Sequence, residues 1–342
     1  MTPLQVDRLQ IGLMLLSLAL AFALPFELFL FSYAVLGPLH YLTELTWLKK
    51  RDFFANGKRD WWWLTVIVVA AVFSAKFVVG SFAIEGLAQY SQFFAFLAFA
   101  SALLFVTIGN ATLRFIAAGV LLVGLLTFAD VTAREWFLFS LFTTTILHVS
   151  LFTGAFMLFG ALKSKSVTGY VGVVLLFACF AIALFAPATT GSAVSSYVSE
   201  SYSGGFRTLN AELARLFDLG TVAHVDGSSR FGSAADLFRS PGGIAIQRLI
   251  AFAYTYHYLN WFSKTSIIGW AKVDRRLLAG AVILWIASVA LYAKNFDLGA
   301  RWLFALSYAH VLLEFPLNHR SFVGIGQELY ARITRRDSRA QA

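Results

Sequence analysis

The chain has little charge and almost no cysteine. Charged residues make up 13% of its 342 residues, whereas an ordinary soluble domain has about 25%. One cysteine, Cys179, excludes a secreted disulfide scaffold. Hydrophobic residues make up 59% of the chain, which excludes disorder. Because a soluble fold of this size cannot hide so much apolar surface and keep a polar shell, we predict an all-α polytopic membrane protein.

Ten apolar segments are candidate membrane spans, since a helix needs about 20 apolar residues to cross a hydrocarbon core of about 30 Å. Residues 9–48 are too long for one span, and we place a reversal at Pro25 and Glu27. Proline breaks the helical hydrogen-bond ladder, and a carboxylate prefers water. The predicted spans are roughly 9–24, 26–48, 61–80, 91–109, 114–129, 136–162, 168–187, 243–263, 277–293 and 302–318.

Basic residues concentrate in alternate connections, which orients the chain by the positive-inside rule. The short outer connections hold only Arg134, Lys294 and Arg301. We therefore expect both termini in the cytoplasm and a location in the inner (plasma) membrane of a bacterium. The basic residues behind the net charge of +9 would then face anionic lipid, and no nucleic-acid partner is predicted. The inner basic residues are Lys49, Lys50, Arg51, Lys58, Arg59, Arg114, Lys163, Lys165, Lys264, Lys272, Arg275, Arg276, Arg320, Arg332, Arg335, Arg336 and Arg339.

The whole chain, 1–342, is predicted to form a single integral membrane domain with one long outer connection. This connection, 188–242, is rich in serine, glycine and alanine. Helical patterns occur at 209–217 and at 234–238. Each of these two segments would lie on the membrane surface or cap the bundle from outside. The alternative is a partly ordered loop.

Four of the six histidines lie inside predicted spans, each in the half nearer the cytoplasm. They are His40, His148, His257 and His310. Three of them precede the basic boundary by seven to ten residues, which corresponds to about 10–15 Å along a helix. Because ionisable side chains inside a membrane are costly, each is a functional hypothesis. The alternative is a histidine bonded within the bundle to Tyr41, Thr43, Tyr256 or Tyr258.

Two carboxylates accompany the histidines. Glu44 follows His40 by four residues, and Glu314 follows His310 by four, so each pair shares a helix face. Asn260 lies three residues after His257 and is a candidate for orienting a ligand or for weak ligation. We therefore predict His40, His148, His257 and His310 as metal ligands, with Glu44, Glu314 and Asn260 in catalytic roles.

Four histidines with one or two glutamates form a ligand set typical of non-haem iron or of zinc. We expect Fe(II), as one ion or two. Haem is the other alternative, since facing histidines can ligate it. Two such haems would lie in the same leaflet, which does not suit electron transfer across the membrane.

The segments around these histidines resemble the Brp/Blh-type membrane β-carotene dioxygenases. Leu39-His40-Tyr41-Leu42-Thr43-Glu44 looks like that family's first histidine motif, with Glu in place of Asp. Leu147-His148 is similar to the second, and His257 to the first histidine of the third. The last helix is similar in having an acidic residue after His310. The resemblance implies a non-haem iron within a helical bundle. The family's second histidine of the third motif is replaced here by Trp261, so His310 would complete the set.

These features favour an integral membrane oxygenase or related oxidoreductase that acts on a lipid, a carotenoid or another isoprenoid. Its partners would be that lipophilic small molecule and the membrane lipids. The His-x-x-x-His and His-x-x-His-His boxes of ordinary desaturases are absent. A proton-coupled transporter or channel is an alternative, because His and Glu form proton relays. A structural or pigment-binding subunit of a larger membrane complex is the third.

Overall fold

The computed structural model describes residues 2–57, 60–75, 78, 90–127, 133–188, 195–219, 223–225, 228–230, 234–264 and 274–340. These residues are almost entirely helical. The helices are α1 (Pro3–Ala23), α2 (Pro25–Phe31), α3 (Gly37–Lys50), α4 (Asp60–Ser74), α5 (Ser91–Thr107), α6 (Ala111–Thr127), α7 (Ala133–Thr144), α8 (Thr153–Ser164), α9 (Val167–Phe185), α10 (Ser196–Ser201), α11 (Arg207–Leu216), α12 (Ala234–Arg239), α13 (Pro241–Ser263), α14 (Arg275–Lys294) and α15 (Phe296–Ala340). A short hairpin pairs β1 (Ala223–Val225) with β2 (Ser228–Arg230).

Every apolar segment predicted as a span overlaps one of these helices. Within the described residues, five helical stretches are long and apolar enough to cross a membrane: Leu4–Ala23, Pro25–Lys50, Leu138–Ser164, Val167–Phe185 and Arg275–Lys294. The helices α4, α5 and α6 are also apolar but shorter. Large apolar side chains on the outside, such as Val120, Phe185 and Ile283, are about two-thirds exposed. Such a surface suits lipid and confirms the prediction of a membrane protein.

Proline positions are accommodated in two different ways. The chain breaks at Leu24, immediately before Pro25, as the sequence predicted. Before Pro38 there is instead a π-helical segment, Ser32–Leu36, which joins α2 to α3 without a break. The last predicted span, 302–318, lies within a longer helix, because α15 has 45 residues in all, from Phe296 to Ala340, and passes through Pro316. A second π-helical segment, His148–Phe152, joins the α7 region to α8.

The centre of the bundle is α13. All residues from 245 to 258 are buried, so this helix is covered on every side. The helices α1, α2, α9 and α3 lie around it. In contrast, α14 lies at the periphery and exposes Ile283, Leu284 and Ile286. The central helix carries His257, which places this histidine in the interior of the protein.

The long connection packs onto one end of the bundle. Its two predicted helical patterns fall in α11 and α12. A third π-helical segment, Tyr202–Phe206, precedes α11. The ring of Phe26 contacts Tyr202, Phe206 and Phe238 at centroid distances of 5.3, 5.8 and 5.6 Å. The connection is therefore anchored by buried aromatic side chains at the end where α2 begins.

Candidate metal centre

Four helical elements bring the predicted ligands together. The helix α3 carries His40 and Glu44 one turn apart, and α15 carries His310 and Glu314 with the same spacing. The central helix α13 provides His257. The fourth histidine, His148, begins the π-helical segment before α8. Because π-helical turns are rare and occur often at functional sites, two of them beside this cluster support a specialised role.

The polar atoms of the six side chains approach one another closely. Nε2 of His40 lies 3.1 Å from Nε2 of His257 and 3.2 Å from Oε2 of Glu44. The same Glu44 oxygen lies 3.2 Å from Nε2 of His310. Oε2 of Glu314 lies 3.5 Å from Nδ1 of His148 and 3.6 Å from Nε2 of His310. The six residues thus form one continuous cluster.

These separations match those between neighbouring ligands of one metal ion. With metal–nitrogen bonds of about 2.1 Å, adjacent ligand atoms lie about 3.0 Å apart at right angles and about 3.4 Å apart in a tetrahedron. In three overlapping groups, all ligand atoms lie within 4.8 Å of one another. They are His40 with His148 and His257, His40 with Glu44 and His310, and His148 with His310 and Glu314.

The cluster is buried, and several of its polar atoms have no hydrogen-bond partner. The six side chains are at most 8% exposed. Among the described residues, Nδ1 and Nε2 of His148, Nδ1 of His40 and of His310, and Oε2 of Glu314 make no hydrogen bond. A buried polar atom without a partner is costly, and a buried carboxylate also needs a positive charge. A bound cation would satisfy both needs.

A cavity of about 30 Å³ borders the cluster and is lined by four of its six residues, His40, Glu44, His257 and Glu314. A water molecule needs about 10–15 Å³ on the same measure. The cavity is therefore large enough for an ion and a small ligand such as water, but far too small for a carotenoid or a lipid chain. A large substrate would have to approach this cavity from outside it.

A threonine absent from the sequence prediction orients His257. Oγ1 of Thr153 lies 2.7 Å from Nδ1 of His257, which leaves Nε2 directed at His40. A hydrogen bond at the outer nitrogen of a ligating histidine fixes the ring and its tautomer. Thr153 lies five residues after His148, at the start of α8. In the sequence, the feature that could have pointed to Thr153 was its position close to the intramembrane histidine His148.

The alternative partners weighed for the histidines bond elsewhere. The hydroxyls of Tyr41 and Tyr258 lie 2.5 Å apart and form a hydrogen bond with each other. The hydroxyl of Tyr256 donates to Sδ of Met157. Oγ1 of Thr43 accepts from Nε1 of Trp261 at 3.1 Å and donates to the backbone oxygen of His40. These side chains form the wall of the cluster, whereas the ring nitrogens of His40, His257 and His310 make their contacts with one another, with Glu44 and with Thr153.

Asn260 and Lys264 also line the small cavity. Oδ1 of Asn260 has no hydrogen-bond partner among the described residues, so this oxygen can bind a ligand in the cavity. The sequence counts Lys264 among the basic residues of an inner connection, but the structure places it in the interior. Its side chain is buried, and Nζ lies 4.5 Å from the ring centroid of Phe156. It provides a positive charge beside the two glutamates.

The other two histidines lie apart from the cluster. The last predicted span ends at 318, which would place His319 at a helix end, but α15 continues for another 21 residues after His319, to Ala340. Nε2 of His319 instead bonds the backbone oxygen of Phe99 at 2.9 Å. His224 lies on β1. His319 is therefore a buried histidine on the same helix as His310 whose polar contact is a backbone carbonyl.

A second buried charged group was not predicted at all. Arg114, expected in a basic loop, is buried in the first turn of α6. Its Nε and Nη2 lie 3.1 and 3.3 Å from the two carboxylate oxygens of Asp60. Its Nη1 donates to the backbone oxygens of Ile108 and Gly109 at 2.8 Å each. This ion pair fastens the start of α4 to the turn between α5 and α6.

The donor set of the cluster fits a metal ion that prefers imidazole and carboxylate. Four imidazoles with carboxylates suit iron or zinc, whereas calcium and magnesium prefer oxygen ligands. Comparisons with protein-family models, with curated proteins and with solved structures found no match. The assignment therefore depends on the geometry of the cluster itself.

Proposed function

We propose that this protein is an integral membrane, non-haem iron oxidoreductase, an oxygenase that acts on a lipid, carotenoid or other isoprenoid substrate. The observation that carries the proposal is the convergence of four buried histidines and two buried glutamates, with unpartnered polar atoms, beside a cavity of ionic size that four of these six residues line. The resemblance of the His40 and His148 segments to the Brp/Blh-type dioxygenases supports the same chemistry. We further propose ten spans, both termini in the cytoplasm and a bacterial inner membrane.

In this proposal the four histidines hold the metal, and the two glutamates complete or balance its charge. Bound Fe(II) with an open coordination position supplies O₂ activation. The three overlapping ligand groups have room for one ion or for two that share ligands. Cleavage of a C=C bond that places one oxygen atom of O₂ on each of the two carbons would balance without a separate electron donor.

The protein's own side chains would then control water, protons and orientation. The aromatic side chains of Tyr41, Tyr258 and Trp261 surround His40 at centroid distances of 5.7, 5.1 and 5.6 Å and exclude water from it. Glu44 Oε2, between two histidines, is placed to hold or release a proton. The free Oδ1 of Asn260 can accept a hydrogen bond from a group in the cavity.

Elemental analysis of the purified protein tests the proposal directly. We expect one or two equivalents of iron after purification in mild detergent without chelators. The variants His40→Ala and His310→Gln should lose this metal. The matched control is His319→Gln, which removes a buried histidine of the same helix outside the cluster and should retain it. A native protein without metal would contradict the proposal and favour a proton relay, to be measured as pH-dependent flux in liposomes.

A further inference from the structure

A larger cavity, of about 510 Å³, lies where α3, α8 and α15 meet. Small-molecule sites typically measure about 300–1,000 Å³, so this cavity has the size of a ligand site. Three cationic side chains line it, namely Arg51, Lys163 and Arg320. Among the described residues, no aspartate or glutamate lines it. Its lining therefore has an excess of positive charge.

Aromatic and backbone contacts hold these cations in place. The guanidinium of Arg51 lies 5.5 Å from the ring centroid of Trp47, and Nζ of Lys163 lies 4.8 Å from that of Phe159. Arg320 donates through Nε to the backbone oxygen of Phe54 and through Nη2 to Oδ1 of Asn56 at 3.0 Å. Within the described part of the chain, none of the three cations forms an ion pair with a carboxylate. An anionic group would complement them.

This basic cavity adjoins the metal cavity. Phe156 and Leu317 line both of them, so two apolar side chains form the partition. Leu317 follows Glu314 by three residues on α15. Trp47 of the basic cavity also packs against Trp261 of the metal cavity, with ring centroids 5.5 Å apart. An apolar chain that leaves the basic cavity along this partition would meet the cluster.

We infer that the basic cavity binds the anionic head group of an amphiphilic substrate, whose apolar chain extends past Phe156 and Leu317 to the metal centre. That this amphiphile is a substrate depends on the proposed function, whereas the binding of its head group in the basic cavity does not. The charge of the cavity favours a carboxylate or phosphate at the end of an apolar chain over an uncharged hydrocarbon such as a carotene. The metal cavity is too small to receive the head group itself.

Binding of dodecyl phosphate, measured calorimetrically on the whole protein in neutral detergent, tests the head-group site without any metal. Dodecanol has the same chain without the charge and controls for partition into micelles. We expect dodecyl phosphate to bind at least ten-fold more tightly than dodecanol. Lys163→Gln and Arg320→Gln should each weaken its binding about five-fold, as expected for loss of one nearby cation. Arg276→Gln, an exposed cation that does not line the cavity, should leave it unchanged.

The comparison of anions identifies the head group. Dodecanoate carries a carboxylate on the same kind of chain, and the tighter of the two amphiphiles shows which anion the cavity prefers. Inorganic phosphate that binds as tightly as dodecyl phosphate would overturn the inference, since the site would then recognise a free anion. Equal binding of dodecanol, or equal weakening by Arg276→Gln, would also overturn it, because general membrane charge would explain the data.

Contact between the chain and the metal centre is tested on protein loaded with Co²⁺. Dodecyl phosphate should change the visible absorption of the bound Co²⁺, whereas inorganic phosphate should not. Leu317→Trp puts a larger side chain between the two cavities. It should abolish this spectral change, while the binding measured by calorimetry remains. If Co²⁺ does not bind at all, the proposed metal site fails while the calorimetric result still stands. If dodecyl phosphate binds Co²⁺-loaded protein without any spectral change, the path past Leu317 is wrong.

Discussion

The two buried charged clusters of this protein differ in where their opposite charge comes from. At Asp60 and Arg114 the chain supplies both signs, and backbone oxygens take up Nη1 of the guanidinium. The cluster around His40 and His310 has one cation, Lys264, beside two glutamates and four imidazoles, and several of its atoms lack any partner among the described residues. A charge that the protein balances itself is structural, whereas one left for an external ion marks a binding site.

The largest effect should come from breaking the ion pair between Asp60 and Arg114. Arg114→Ala leaves the Asp60 carboxylate buried without a partner, and the loss of one member of a buried ion pair costs about 3–5 kcal/mol. Thermal unfolding in detergent should therefore show a strongly lowered transition. Because this pair lies outside the metal cluster, the protein that remains folded should keep its full metal content by elemental analysis.

The double variant Asp60→Leu/Arg114→Leu separates charge from packing at the same place. A buried ion pair replaced by apolar side chains is often neutral in stability. We expect the double variant to recover most of the stability that Arg114→Ala loses. If the double variant is as unstable as the single one, the backbone contacts of Arg114 at Ile108 and Gly109 matter more than the ion pair.

Removal of the metal should produce the second-largest effect, and only at the cluster around His40 and His310. A ligand at 100 times its dissociation constant stabilises the folded state by about 2.7 kcal/mol. A chelator should therefore lower the unfolding transition of the native protein and of Arg114→Ala by similar free energies. His40→Ala should show no response to chelator. A chelator response in His40→Ala equal to that of the native protein would contradict a metal held by this cluster.

The sequence predicted the helical segments well because apolar runs of 15 to 25 residues have few alternatives in a membrane. It also grouped His40, His148, His257 and His310, because each lies in the half of its predicted span nearer the cytoplasm. Their contacts through Nε2 and Nδ1 required the packing of four separate elements. The iron, the reaction and the ten-span topology stay predictions.

Other features lay beyond the sequence for identifiable reasons. The pairing of Asp60 with Arg114 joins residues 54 positions apart, and Arg114 alone resembles any loop cation. The length of α15 was missed because the apolar run that defines the last predicted span ends at 318, whereas the helix continues through more polar residues to Ala340. The burial of Lys264 depends on Phe156, which belongs to another helix.

A third effect should appear at Thr153, which acts on the cluster through His257. Thr153→Val keeps the shape of the side chain and removes the hydroxyl that lies 2.7 Å from Nδ1. Loss of such an outer hydrogen bond typically weakens metal affinity 10- to 100-fold. Competition with a chelator of known affinity measures this change. Thr153→Ser should restore tight binding, and a valine variant with native affinity would show that the hydroxyl does not orient the ring.

The smallest effect should come from the Tyr41–Tyr258 hydrogen bond, a buried polar contact without formal charge beside the cluster. A net hydrogen bond contributes about 1 kcal/mol, so Tyr258→Phe should lower stability by about that amount. Tyr41→Phe/Tyr258→Phe removes both hydroxyls and leaves no unpartnered one, so it should cost no more than the single variant. Metal content should stay unchanged in both, because neither hydroxyl contacts a ligand nitrogen. Loss of metal from Tyr258→Phe would show that this hydroxyl belongs to the metal centre and not only to the side chains that surround it.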